Sequence, residues 1–227
     1  MATTSSRILS IYKSRLTLLD LLLKQDFNVD EYEGFSINEI DAMFSNSQLD
    51  MLLSHKTDGR KVYVKYYFSA KQTAKQIRPA NLDEIIEDLF AIENILTKKD
   101  TLMIIIDDEP NDTIISKIKY LFDHDGIFVV IHNIQRLQFN ILNHTLVPKT
   151  TILTDDEVAE LAKVYHLKSD LSGKGTGTHG EYGSLELPEV SRFDPVSLAI
   201  CMRPGQICKI ERESATALAY NYYRICV

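Results

Sequence analysis

Asp50, Tyr63 and Lys65 are the residues of this chain whose types and spacing come nearest to catalytic chemistry. A hairpin between Asp50 and Phe68 would set Asp50 at the head of one strand and Tyr63-x-Lys65 on the next. An aspartate on one strand and an acidic-x-lysine on its neighbour is how a metal-dependent nuclease gathers two carboxylates around a divalent cation. The place of the second carboxylate is taken by Tyr63. A hard cation that demands oxygen ligands is poorly held by one carboxylate. The live nuclease is therefore the rival reading, and divalent-dependent cleavage abolished by changing Asp50 is its mark.

Other chemical signals are weaker. Gly175-x-Gly177-x-x-Gly180 matches a dinucleotide fingerprint by letters, but that motif needs a strand before it and a helix after it. Gly173-Lys174 lacks the spacing of a phosphate-binding loop. Asp107-Asp108-Glu109 follows an apolar strand, where α/β enzymes keep catalytic groups; a solvated loop leading through Pro110 to the next helix is the plainer reading. The six histidines show no HxxxH or HxH spacing. Cys201, Cys208 and Cys226 lack the paired spacing of a zinc site, and read as buried free thiols of a reducing compartment. No cofactor and no metal is predicted.

The elements that must position these groups are legible in outline. Ser6 to Leu23 carries a helical stripe of Ile8, Ile11, Tyr12, Leu16, Leu19 and Leu23. Ser36 with Glu39 three residues on is a capping box. Strands Asp50 to His55 and Lys61 to Phe68 flank the turn Thr57-Asp58-Gly59, a strong hairpin signal. A helix near Leu82 to Leu96 presents Ile85, Ile86, Leu89, Ile92 and Leu96 on one side. The strand Thr101 to Ile106, the helix Asp112 to Phe122 and the strand Gly126 to Ile131 then make a βαβ unit whose strands are apolar throughout, as in a parallel sheet covered on both faces.

From Lys56 to Arg78 seven cations (Lys56, Arg60, Lys61, Lys65, Lys71, Lys75 and Arg78) face one anion, Asp58. Strand alternation puts Lys61, Tyr63, Lys65 and Tyr67 on one face, and Val62, Val64, Tyr66 and Phe68 on the other. Two readings stand: contact with phosphates without sequence readout, or a solvated face guarding a sheet edge with lysines.

The chain changes character near residue 143. Leu146-Val147-Pro148 leads to a helix from Thr154 to Tyr165. Leu171 to Glu186 holds five of the nine glycines and reads as a mobile loop. Asp194-Pro195 opens a short helix with an N-cap carboxylate and proline in the first turn. Arg203-Pro204-Gly205-Gln206 turns the chain, and strands Ile207 to Arg212 and Leu218 to Cys226 follow.

That order of pieces resembles the assembly domain of the fifth shared subunit of eukaryotic DNA-directed RNA polymerases and of its archaeal counterpart. The residues that carry the resemblance are Asp194-Pro195-Val196, Gly205-Gln206, Lys209-Ile210, Arg212, Ser214, Thr216-Ala217, Tyr220 and Tyr223-Arg224, with His144, Leu146-Val147-Pro148 and Thr154 to Val158 upstream. Glu213, Ala215 and Leu218 depart from the family pattern, and 171–186 has no counterpart in its short forms. Such departures mark a divergent member, of the kind a large DNA virus with its own polymerase would encode.

The resemblance implies two domains. Residues 1–143 would form an α/β jaw domain, restriction-endonuclease-like (the PD-(D/E)xK fold) but inactive. Residues 144–227 would form a small α+β assembly domain with the insertion at 171–186. It implies a noncatalytic subunit in transcription, anchored to the largest polymerase subunit through Arg203, Gly205, Gln206, Lys209, Arg212, Tyr223 and Arg224. A β-edge and arginines suit docking by strand addition and directed hydrogen bonds. The jaw would lie near downstream duplex DNA, with Lys61, Lys65, Lys71, Lys75, Arg78 and Pro110 as the DNA-proximal set, and would offer transcription factors a landing surface. The implied place is the nucleus, or a viral factory or virion if the gene is viral. A free-standing transcription adaptor is a further alternative.

Composition is compatible with this. The 227 residues suffice for one large domain or two small ones, and 44% hydrophobic with 25% charged content is ordinary for a globular chain. A net charge of −7 disfavours a free nonspecific nucleic-acid binder. No membrane span and no signal peptide is predicted.

Overall fold

The computed structural model describes residues 2–68, 77–167 and 187–227. The chain divides into two compact units, 1–140 and 141–227.

The first unit is a four-stranded sheet in the order β1-β2-β3-β4. Strands β1 (Met51–Ser54) and β2 (Lys61–Tyr66) form an antiparallel hairpin; β3 (Thr101–Ile106) and β4 (Phe128–Asn133) continue it in parallel. The hairpin closes as Asp-Gly dictates: Gly59 has a φ of +70°, and the Asp58 carboxylate accepts from the Arg60 N–H at 3.1 Å. Every residue of β3 and β4 is buried, because parallel strands joined by helical crossovers are covered on both faces. The buried Asp100 fixes where β3 begins. Its carboxylate accepts from the Lys61 N–H at the start of β2 (2.6 Å) and from the N–H and hydroxyl of Thr97 (2.7 Å each).

Helix α1 (Ala2–Leu23) packs on the sheet face that carries Tyr66. Its buried side is Ile8, Ile11, Ser14, Arg15, Leu18, Leu19, Leu21 and Leu22; the predicted stripe is buried at Ile8, Ile11 and Leu19 but not at Leu16, 48% exposed, or Leu23, 42%. The reason is chemical. Ser14 and Arg15 occupy the inner face, so hydrophobicity alone misplaces it. The Arg15 guanidinium donates to the Leu49 carbonyl at 3.1 Å and lies over the rings of Tyr32 and Phe35 at 5.7 and 5.4 Å. Its burial lowers its pKa. Helix α2 (Ile37–Ser45) starts at Ser36 with the expected capping box, both reciprocal bonds present.

Helix α3 (Pro79–Ile86) joins β2 to β3 and runs into a wider π-type turn over Glu87–Ile92. That turn breaks the predicted straight helix to Leu96. The extra residue per turn rotates Ile92 outward, to 67% exposure, while Leu96 is buried beyond the helix. Helix α4 (Asp112–Tyr120) likewise widens over Leu121–Asp125 and ends at Gly126, φ +72°. Gly126 is thus a helix cap, and β4 begins two residues later than its apolar run suggested.

In the second unit the sheet order is β5-β7-β8-β6, from β5 (Thr150–Ile152), β6 (Glu189–Val190), β7 (Ile207–Arg212) and β8 (Tyr220–Cys226). β7 and β8 form an antiparallel hairpin, while β6 runs parallel to β8. Helix α5 (Asp155–Tyr165) opens with a second capping box, Thr154 with Glu157, and lays Val158 and Leu161 on Ile207, Ile225 and Leu153. Helix α6 (Pro195–Ala199) is capped by Asp194, whose carboxylate accepts from the Val196 N–H at 3.0 Å. Met202, Cys208, Ile210 and Cys226 form the core on the opposite face. Burial raises both thiols, Cys226 to about 12. β8 begins at Tyr220; Leu218, placed in it by sequence, is 94% exposed. No described helix is long and apolar enough to cross a membrane.

His132, buried in β4, gives a pH prediction. Burial, and then Arg136, push its pKa from 6.5 down to about 4. Between those values the unfolded chain binds a proton that the folded chain refuses, so stability falls as pH drops from about 6.5 to 4. The loss amounts to roughly 3 kcal/mol. Urea denaturation at neutral pH and near pH 4 should show this slope in the unaltered chain and a shallower one in His132→Leu.

Candidate functional site

The β1–β2 register brings Asp50, Tyr63 and Lys65 together, as strand alternation indicated. One Asp50 oxygen accepts from the Tyr63 hydroxyl at 3.2 Å and from the Lys65 ammonium at 3.4 Å; the other accepts from the Tyr66 N–H at 3.0 Å. Burial, and then the Asp50 charge, hold the Tyr63 hydroxyl well above the ordinary phenol range, so it stays a donor. A divalent cation at Asp50 would have to displace these donors and share the space with an ammonium. The group is a closed ion pair with a tyrosine buttress. Among the described residues no cluster of three or more histidine, cysteine or acidic side chains is placed to hold a metal.

The cationic run is dispersed by the fold. β2 lies between β1 and β3, so its lysines do not guard an edge. Lys61 is half-buried with its ammonium 3.5 Å from the Ile95 carbonyl, and Lys65 is held by Asp50. Arg78 precedes α3 and is exposed, as is Lys56 after β1. Lys71 and Lys75 lie outside the described residues, as do 171–186 and the glycine motif within them.

The loop that carries Pro110 is braced at both ends. Asp107 pairs with Arg7 at 2.9 Å, and Arg7 also lies over the rings of Phe44 and Phe68, at 5.7 and 5.0 Å. Glu109 takes Arg136 in a two-pronged contact of 3.0 and 2.9 Å. These carboxylates hold the loop after β3 to α1 and to the turn after β4.

The predicted assembly residues gather around the β7–β8 hairpin. In the turn, the Arg203 N–H donates to the Gln206 side-chain oxygen at 2.7 Å, and Gly205 adopts φ +86°. The Gly205 N–H donates to the Cys226 carbonyl, and the Cys226 N–H donates to the Gln206 carbonyl, both at 2.9 Å. The turn is thereby fastened to the end of β8. Lys209 lies 3.5 Å from Glu211, which also meets Lys149 at 3.6 Å. Tyr223 lies on the α5 face, edge-on to Tyr165 at 5.9 Å. Arg212 and Arg224 lie on the other face, both over the ring of Tyr222. Sequence reasoning passed over Tyr222; strand alternation alone would have grouped it with Arg212, Tyr220 and Arg224.

Asp50 is thus closed by internal donors, while the C-terminal sheet carries a fastened turn and an arginine-tyrosine face. The family described as RNA polymerase Rpb5, C-terminal domain, matches residues 181–226. The chain is 34% identical over 90 residues to DNA-directed RNA polymerase subunit Rpo5 of Thermococcus kodakarensis, spanning 40% of this chain and 92% of that subunit. It is 33% identical over 90 residues to the Rpo5 of Pyrococcus abyssi, again 92% of that subunit. To subunit RPABC1 of RNA polymerases I, II and III from Caenorhabditis elegans it is 36% identical over 91 residues, 40% of this chain and 36% of that one. The chain belongs to the Rpb5/Rpo5 family of RNA polymerase subunits.

Asp50→Ala should cost about 1–2 kcal/mol of stability by orphaning the Tyr66 N–H and the Lys65 ammonium. Tyr63→Phe should cost less, and the double variant should lose less than the sum. Urea denaturation of the three variants tests this coupling.

Proposed function

We propose that this chain is a noncatalytic subunit of a multisubunit DNA-directed RNA polymerase. Its second unit anchors it to the largest subunit, and its first serves as a jaw beside downstream DNA and a landing surface for transcription factors. The observation that carries this reading is the match to nearly the whole length of the archaeal subunit, over 40% of this chain. Nucleotidyl transfer belongs to the assembly, since Asp50, the best catalytic candidate of this chain, is spent on an internal ion pair. In a eukaryotic source the place of action is the nucleus; for a virus-encoded chain it is the viral factory.

The anchoring set is Arg203, Gly205, Gln206, Lys209, Arg212, Tyr223 and Arg224, with Tyr222 added. For the jaw, the exposed cations Lys56 and Arg78 are better placed for phosphate than Lys61 and Lys65, whose ammonium groups already have partners. A jaw in a chain of net charge −7 works only when the rest of the polymerase keeps it next to the duplex.

Purification of the tagged chain from its source should bring down polymerase large subunits in equal amounts. A lone species of 25.9 kDa would sink the reading and leave the adaptor. Lys56→Glu combined with Arg78→Glu should weaken retention of downstream DNA by the assembled polymerase a few-fold, and more so at low salt, while the chain stays bound. Release of the chain by that pair would show that the first unit carries assembly instead.

A further inference from the structure

We propose that Arg212, Tyr222 and Arg224 form a carboxylate-binding surface that receives an acidic segment of a neighbouring polymerase subunit. The proposal rests on the subunit reading above and adds the chemistry of the contact. In the β7–β8 ladder Cys208 faces Arg224, Ile210 faces Tyr222 and Arg212 faces Tyr220, so the three side chains emerge on one side of the sheet. The guanidinium carbon of Arg212 lies 4.7 Å, and that of Arg224 5.3 Å, over the centre of the Tyr222 ring. Stacking on an aromatic ring holds a guanidinium in place and leaves its N–H edges to a partner.

Those edges are under-used. Arg224 gives one Nη1 hydrogen bond to the Glu189 carbonyl at 3.2 Å; its Nε is buried without an acceptor, so the ends of the guanidinium are what a partner can reach. Among the described residues no carboxylate lies within ion-pair distance of either arginine. The contrast is Glu211, which meets Lys149 and Lys209. Two cations on one tyrosine, half-exposed and with no counter-charge among the described residues, repel each other in a chain that otherwise carries excess acid. An arriving carboxylate relieves that repulsion and matches the fork geometry of the guanidinium. Nucleic acid fits less well: following a phosphate backbone takes a run of cations, and only these two emerge on this face of β7 and β8.

The test uses polymerase purified with the tagged full-length chain and a water-soluble carbodiimide, which couples amines to carboxylates. Arg212→Lys and Arg224→Lys each place an amine at the surface without removing its charge. The expected result is a new coupling, located by mass spectrometry, from the introduced amine to an aspartate or glutamate of another polymerase subunit. Arg212→Glu combined with Arg224→Glu should lower retention of the chain on polymerase in a high-salt wash by roughly tenfold or more. Equal thermal melting of the lysine variants and the unaltered chain shows that the fold is kept. Coupling confined to this chain, or none while it remains on polymerase, overturns the carboxylate surface and leaves the subunit reading standing. Release of the chain by nuclease digestion assigns the surface to phosphate and overturns the proposal too. Absence of polymerase from the unaltered preparation overturns the subunit reading and this surface with it.

Discussion

Each sheet is built around a strand that has partners on both edges, and that constraint sets what the rest of the chain can do. β3 is hydrogen-bonded to β2 and β4 in parallel. Parallel neighbours need crossovers, so α3 and α4 follow, and the C-terminal ends of β2, β3 and β4 lie at one end of the sheet. β8 is held by β7 on one side and β6 on the other. Its side chains therefore keep fixed positions: one set faces α5, while the other carries Tyr222 between two arginines. A contact surface on an interior strand is set by ladder geometry and not by a loop's preference.

The same constraint explains the fate of the one constellation that looked catalytic. A nuclease needs open lone pairs on its carboxylates. Asp50 instead closes the head of the hairpin, taking a phenol, an ammonium and a backbone N–H. Its chemistry here is bracing. Asp107 and Glu109 are likewise each held by an arginine from another element. Carboxylates that tie strands and loops together are what a scaffold requires and what an active site cannot spare.

What was legible in the sequence was local. Ser36 with Glu39, Asp58-Gly59 and Asp194-Pro195 each declare a cap or a turn within four residues, and each formed as read. The apolar runs of β3 and β4 told of burial on both faces, though the role of Gly126 as a cap displaced the start of β4. The inner face of α1 was legible only at Ile8, Ile11 and Leu19, because burying Arg15 depends on a carbonyl at Leu49 and on rings at Tyr32 and Phe35, far away in sequence. The wide turns after α3 and α4 have no local signature either. At the candidate sites, alternation found the Asp50, Tyr63 and Lys65 trio but not which group donates to which. The motif YYR drew the eye to Tyr223, while the ring that organises the arginines is its neighbour.

Cys208 and Cys226 lie in the core on the same side of the sheet as the two arginines, and burial raises both thiols. Burial disfavours the reactive thiolate of Cys226 and shields its sulfur from reagents. Alkylation of that sulfur therefore reports the opening of the sheet and little else. The second unit thus carries its own clock: labelling rates at Cys226 read how often β8 parts from its neighbours, with no added probe and in any assembly that contains the chain.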